Sequence, residues 1–131
     1  MNGLRNGKGK EYYKGKLIFE GEYLKGQRWN GKGKELFNMN KRIEFEGEYL
    51  NGERNGKGKE YCDYGALRFE GEYLNGERNG KGKEYDDYGR LIFEGEYLNG
   101  KKNGKGKEYY NNEEIDKKFF YSGFIYKIGF F

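Results

Sequence analysis

Phe93, Gly95 and Tyr97 alternate with Glu94 and Glu96, and the same alternation starts at Phe19, Phe45 and Phe69. A period of two puts the aromatics and the glycine on one face of a strand and both carboxylates on the other. The hexapeptide Phe-Glu-Gly-Glu-Tyr-Leu recurs in steps of 26, 24 and 24 residues, and Asn-Gly-Lys-Gly-Lys-Glu begins at Asn6, Asn30, Asn55, Asn79 and Asn103. A fixed period in that range marks a repeat array. Asn99-Gly100 and Asn103-Gly104 tolerate positive φ, so the chain turns there and Lys105 to Tyr109 returns antiparallel. Each repeat is therefore predicted to be a β-hairpin. Asp86-Asp87-Tyr88-Gly89 ends one hairpin and starts the next, which joins the hairpins edge to edge in one meander. The expected fold is all-β, a single-layer antiparallel meander of stacked hairpins, elongated and right-hand twisted, with about nine to eleven strands and an advance of roughly 9 to 10 Å per hairpin.

Gly21, Gly47, Gly71 and Gly95 each lie between two aromatics of the same face. A position without a side chain leaves a slot for a neighbouring ring, so rows of aromatic side chains are expected to cross the sheet. The second strand is less regular: Tyr85 follows Gly82 by three positions, which needs either a bulge or the opposite face.

Phe-Glu-Gly-Glu-Tyr, an Asn-Gly turn and Gly-Lys-Gly together resemble the MORN (membrane occupation and recognition nexus) repeat, whose usual form reads Tyr-x-Gly-x-Trp, a turn, then Gly-x-Gly-x-Tyr. The resemblance covers nearly the whole chain. Tyr23, Tyr49, Tyr73 and Tyr97 stand where the family usually has Trp, and the last two periods are one residue longer than the usual spacing. The array is expected to span 1–131 as a single domain: a partial repeat over 1–18, repeats over about 19–44, 45–68, 69–92 and 93–116, and a degenerate cap over 117–131.

Composition alone points elsewhere, because 37% charged residues, 24 glycines and a mean hydropathy of −1.25 resemble a disordered chain. The register of 10 Phe and 14 Tyr decides against that reading. A net charge of +4 raises nucleic acid or anionic membrane as partners. The charges are nevertheless sorted by strand. Glu70, Glu72, Glu94 and Glu96 precede their turns and Lys81, Lys83, Lys105 and Lys107 follow them, so cross-strand pairing is expected to neutralise that face.

Residues 1 to 7 have no apolar core for a secretion signal, and they align with Asn51 to Gly56, so Lys8 to Tyr12 is expected at a sheet edge. Trp29 is one residue more than the later repeats hold between their glycines, either a local packing residue or an exposed contact anchor. Cys62 takes the place of Asp86 one repeat earlier. A lone thiol with no His beside it excludes an internal disulfide, suggests no metal site, and fits a reducing, cytoplasmic setting. After Tyr109 the pattern loosens, then returns at Tyr121 to Ile125. The apolar end from Phe119 to Phe131 is too short for a spanning helix and reads as a cap on the array, with an interfacial membrane contact as the alternative.

Catalysis finds no support. The chain has no His and no Thr, Ser122 is the only serine, and the paired carboxylates recur in every repeat instead of marking one place. No enzyme activity, cofactor or small-molecule substrate is expected. The remaining roles are binding roles. One is protein recognition by the aromatic face, through Phe45, Tyr49, Phe69, Tyr73, Phe93, Tyr97 and Trp29, with another protein or a second copy as partner. Another is anionic phospholipid or nucleic acid on the basic rows Lys57, Lys59, Lys81, Lys83, Lys105 and Lys107. The family resemblance and the small size also admit an inhibitor of the anti-CRISPR kind, acting on a nucleic-acid-guided nuclease or another host protein.

Overall fold

The structure, a computed structural model, describes residues 3–111, 113–121 and 124–127, with backbone alone beyond Phe120. Strands account for most of it: β1 (Gly7–Tyr13), β2 (Lys16–Leu24), β3 (Gln27–Leu36), β4 (Ile43–Leu50), β5 (Glu53–Tyr61), β6 (Leu67–Leu74), β7 (Glu77–Tyr85), β8 (Leu91–Leu98), β9 (Lys101–Tyr110), β10 (Glu113–Tyr121) and β11 (Phe124–Lys127). They form one antiparallel sheet in chain order, with no crossover. Of the expected cap, Ser122, Gly123 and residues 128–131 lie outside the described residues. Among the described residues no helix is long and apolar enough to cross a membrane.

The hairpin turns are the two-residue type that both-positive φ selects. Asn51, Asn75 and Asn99 have φ of 52°, 50° and 49°, each followed by a glycine at positive φ. The second Asn-Gly of each repeat does something else. Asn103-Gly104 was expected to help turn the chain, but it lies inside β9, where Gly104, like Gly56 and Gly80, makes a bulge at φ 93° to 98°. The carboxylate of Glu96 accepts the Lys105 N–H at 2.8 Å and occupies the space that a Cβ at Gly104 would need. The side chains of Asn30, Asn55 and Asn79 face the next turn, their Oδ1 atoms accepting the N–H groups of Asn51, Asn75 and Asn99 at 2.9, 3.2 and 3.3 Å. These bonds tie consecutive hairpins together at their tips.

Between hairpins, Asp86 Oδ1 accepts the N–H groups of Tyr88 and Arg90, both at 2.9 Å. In the preceding repeat Cys62 holds the equivalent place, and its Sγ accepts the Ala66 N–H at 3.3 Å. Trp29 is the inserted residue. It shifts the β2/β3 register so that Gly21 faces Gly31, where the later hairpins pair Gly47 with Gly58 and Gly71 with Gly82. Its half-buried ring lies on the turn of the next hairpin, 3.3 Å from where a Cβ on Gly52 would stand, so the structure favours the packing role.

Candidate binding surfaces

On one face, the rings form a continuous ladder. Tyr23, Phe19, Tyr49, Phe45, Tyr73, Phe69, Tyr97, Phe93 and Phe120 meet edge to face in that order, with centroids 5.2 to 6.0 Å apart and planes 76° to 89° from parallel. Each such contact adds about 0.5 to 1.5 kcal/mol to simple burial. The glycine slots hold these rings: a Cβ on Gly58 would sit 2.6 Å from Phe45 and 2.9 Å from Tyr73.

This corrects one expectation. Phe45, Phe69 and Phe93 are 0 to 1% exposed and Tyr49, Tyr73 and Tyr97 are 4 to 8% exposed, so these rings do not present an open apolar surface. The cover is ionic. Arg54 lies over Phe45 at 4.1 Å, Arg78 over Phe69 at 4.0 Å and Lys102 over Phe93 at 4.1 Å, where a ring face attracts a cation. Each arginine is anchored by a carboxylate from the preceding hairpin: Arg28 to Glu11, Arg54 to Glu35 and Arg78 to Glu60, with both carboxylate oxygens engaged. The same carboxylates accept the buried tyrosine hydroxyls, Tyr49 donating to Glu35 at 2.7 Å and Tyr73 donating to Glu60. Ring, cation, carboxylate and hydroxyl thus form one unit that repeats along the sheet and links each hairpin to the next.

Sequence reading missed this unit because its members lie in different repeats. The available signal was the cation five residues after each tyrosine, at Arg28, Arg54, Arg78 and Lys102, in step with Glu11, Glu35, Glu60 and Glu84.

These contacts predict how stability varies with pH. Burial pushes Glu35 and Glu60 up, but hydrogen bonds from arginine and tyrosine outweigh it and hold both below the ordinary value of 4.5. A depressed folded value means that the unfolded chain takes up these protons first. The stabilisation is therefore complete above the ordinary glutamate range and drains away as pH falls through the folded values. At the alkaline end the sign reverses: burial and the Glu70 carboxylate push Tyr85 up to about 12, and Tyr49, Tyr73 and Tyr97 are raised further. Tyrosines of the unfolded chain ionise near 10.0, so stability falls as pH rises beyond it. Thermal melts across pH should show both limbs, with the acid limb shallower in Glu60→Gln; a flat acid side would refute the carboxylate assignment.

The opposite face carries a long open groove running across the strands from β2 to β9, lined by Glu20, Lys32, Lys34 and the Glu and Lys pairs of every later repeat. Backbone glycines form its floor, since Gly33, Gly47, Gly58, Gly71, Gly82, Gly95 and Gly106 pair in succession across it. The side chains make stripes, one sign per strand: Glu46 and Glu48 on β4, Lys57 and Lys59 on β5, Glu70 and Glu72 on β6, Lys81 and Lys83 on β7.

The register opposes these charges as expected, with Glu46 facing Lys59 and Glu70 facing Lys83. Few of them close into ion pairs. Lys83 reaches Glu94 and Lys107 reaches Glu114, both at 3.6 Å, and Lys10 reaches Glu20 at 3.3 Å, whereas Lys32, Lys34, Lys57, Lys59 and Lys81 stand in no ion pair among the described residues. The carboxylates are engaged elsewhere. Tyr61, Tyr85 and Tyr109 donate their hydroxyls to Glu46, Glu70 and Glu94 at 2.5, 2.5 and 3.1 Å, and the Lys57 and Lys81 N–H groups bond Glu48 and Glu72 at 2.7 Å. The open question about Tyr85 is answered by both alternatives: the register shifts between Glu84 and Tyr85, and the ring then lies on the carboxylate face.

The MORN repeat family model matches residues 1–16, 45–65, 69–90 and 93–114, more than half of the chain. The protein belongs to the MORN-repeat family. The stretch between the first two matches contains Trp29 and the shifted β2/β3 register, which is where this MORN array departs most from its own later repeats. No curated protein matches the chain in sequence. Membership fits the geometry: a MORN array is a repeat protein of a kind often used in binding or membrane association, and here its two faces differ sharply in what they offer.

Proposed function

We propose that this protein is a non-catalytic binding module that holds a segment of another protein along the striped groove. The observation that carries this reading is the contrast between the faces. The rings are sealed by their cationic cover, while the groove extends over β2 to β9 and exposes Lys57, Lys59 and Lys81, which stand in no ion pair among the described residues. Lys57, Lys59, Lys81, Lys83, Lys105 and Lys107, first considered as a basic surface for lipid or nucleic acid, become groove contacts. Phe45, Tyr49, Phe69, Tyr73, Phe93 and Tyr97 hold its shape from behind. Glu stripes between the Lys stripes work against a continuous polyanion, which favours protein over RNA or phospholipid. The free Cys62 thiol accords with a reducing, cytoplasmic setting.

The test is site-specific. A photo-cross-linking residue at Lys59 or Lys83 should capture a partner protein in host extract, while the same group at the fully exposed turn residue Met39 should not. Lys57→Glu combined with Lys81→Glu should abolish the capture with the thermal transition retained. Tight RNA or liposome binding that falls steeply with salt, with no protein cross-link from the groove, would overturn the proposal.

A further inference from the structure

We infer that the groove selects an acidic segment in the polyproline II conformation, carrying a carboxylate at every third residue. This rests on the groove being the working surface and adds what it recognises. Lysine stripes occur on every second strand, at β3, β5, β7 and β9. With adjacent strands about 4.8 Å apart, the stripes recur every 9.6 Å or so along the groove. A polyproline II chain rises about 3.1 Å per residue with three residues per turn, so its every third side chain shares a face at a spacing of about 9.3 Å. The mismatch is about 0.3 Å per stripe, well within the reach of a lysine side chain.

Other backbones fit less well. An α-helix returns a residue to the same face after seven positions, about 10.5 Å, and its mismatch grows threefold faster. An extended strand repeats a face every two residues, about 6.8 Å, which puts alternate carboxylates near glutamate stripes. A polyphosphate backbone has the same defect with its closely spaced charges. A carboxylate every third residue instead meets only lysine stripes and leaves neutral residues over Glu46 and Glu48, Glu70 and Glu72, and Glu94 and Glu96.

A second periodic feature has the same step. By strand alternation Leu50, Leu74 and Leu98 share the face of Glu48, Glu72 and Glu96, and each is 48% exposed at the turn end of its strand. They form an apolar rim beside the charged rows. A three-sided chain with one acidic edge has a second edge free to lay an apolar residue on that rim at the same spacing.

The probe is a synthetic peptide of repeated Glu-Pro-Leu triplets, compared with one of identical composition whose glutamates are two and four residues apart. Against the full chain, the triplet peptide is expected to bind at least tenfold more tightly, to protect Lys57, Lys59 and Lys81 from amine-labelling reagent, and to lose that advantage in Lys57→Glu with Lys81→Glu. Equal affinity for both peptides, with the lysines still protected, would overturn the spacing rule while leaving the groove as a binding surface. Failure of both peptides to bind would overturn the inference outright, and the cross-linking experiment above would judge the groove separately.

Discussion

Gly71→Val should unfold the array far more readily than Glu72→Gln, although the two positions are neighbours in the most repetitive stretch of the chain. A Cβ at Gly71 would stand 2.6 Å from the Lys81 carbonyl oxygen, 2.7 Å from the Gly82 Cα and 2.8 Å from the edge of Phe69. Two of these obstacles are backbone of the partner strand, and the third is a ring locked between Tyr73 and Tyr97, so none can move aside cheaply. We expect a loss of about 3 kcal/mol or more, the upper end of overpacking effects. Glu72 faces the groove, and glutamine keeps an oxygen for the Lys81 N–H, so its replacement should cost about 1 kcal/mol or less. Denaturant titration of both variants decides the matter. Similar midpoints would mean that the paired glycines are not the contact that sets the sheet's thickness.

That contrast was legible in the sequence, because Phe69, Gly71 and Tyr73 announce their shared face by alternation alone. The meander order and the insertion of Trp29 could be read in the same way. What could not be read were consequences of three-dimensional closeness between repeats. Asn103-Gly104 has the same letters as Asn99-Gly100, and only the Glu96 carboxylate on the facing strand shows that one is a bulge and the other a turn. Arg78 looks like a solvated loop charge until Glu60, 18 residues earlier, is seen to hold it against Phe69. The difference matters for function. Without that cover the aromatic face is the obvious docking surface, and with it the opposite face takes over. The groove has no local signal, since residues of eight successive strands from β2 to β9 line it, but its stripes follow directly from the Glu and Lys strands once the register is known.

Phe69→Ala should have the largest effect of any single truncation, and its effect should be visible in the shape of unfolding as well as in its midpoint. Phe69 is fully buried at the middle of the ladder, between Tyr73 and Tyr97 and beneath Arg78. Removing a buried phenylalanine costs about 3 to 5 kcal/mol, and here the loss also leaves the Arg78 guanidinium without the ring it covers. In an array where each hairpin contacts only its neighbours, a weakened central interface uncouples the two ends. Trp29 provides a local probe, being the single tryptophan and lying in β3, while far-UV circular dichroism reports the whole sheet. In the parent protein the two signals should change together. In Phe69→Ala they should separate, because β1 to β5 and β7 to β10 no longer share an intact ladder. Phe19→Ala, near one end, should lower stability without splitting the remaining sheet from itself. Coincident transitions in Phe69→Ala with a midpoint close to the parent's would show that the ladder is not the element that couples the hairpins.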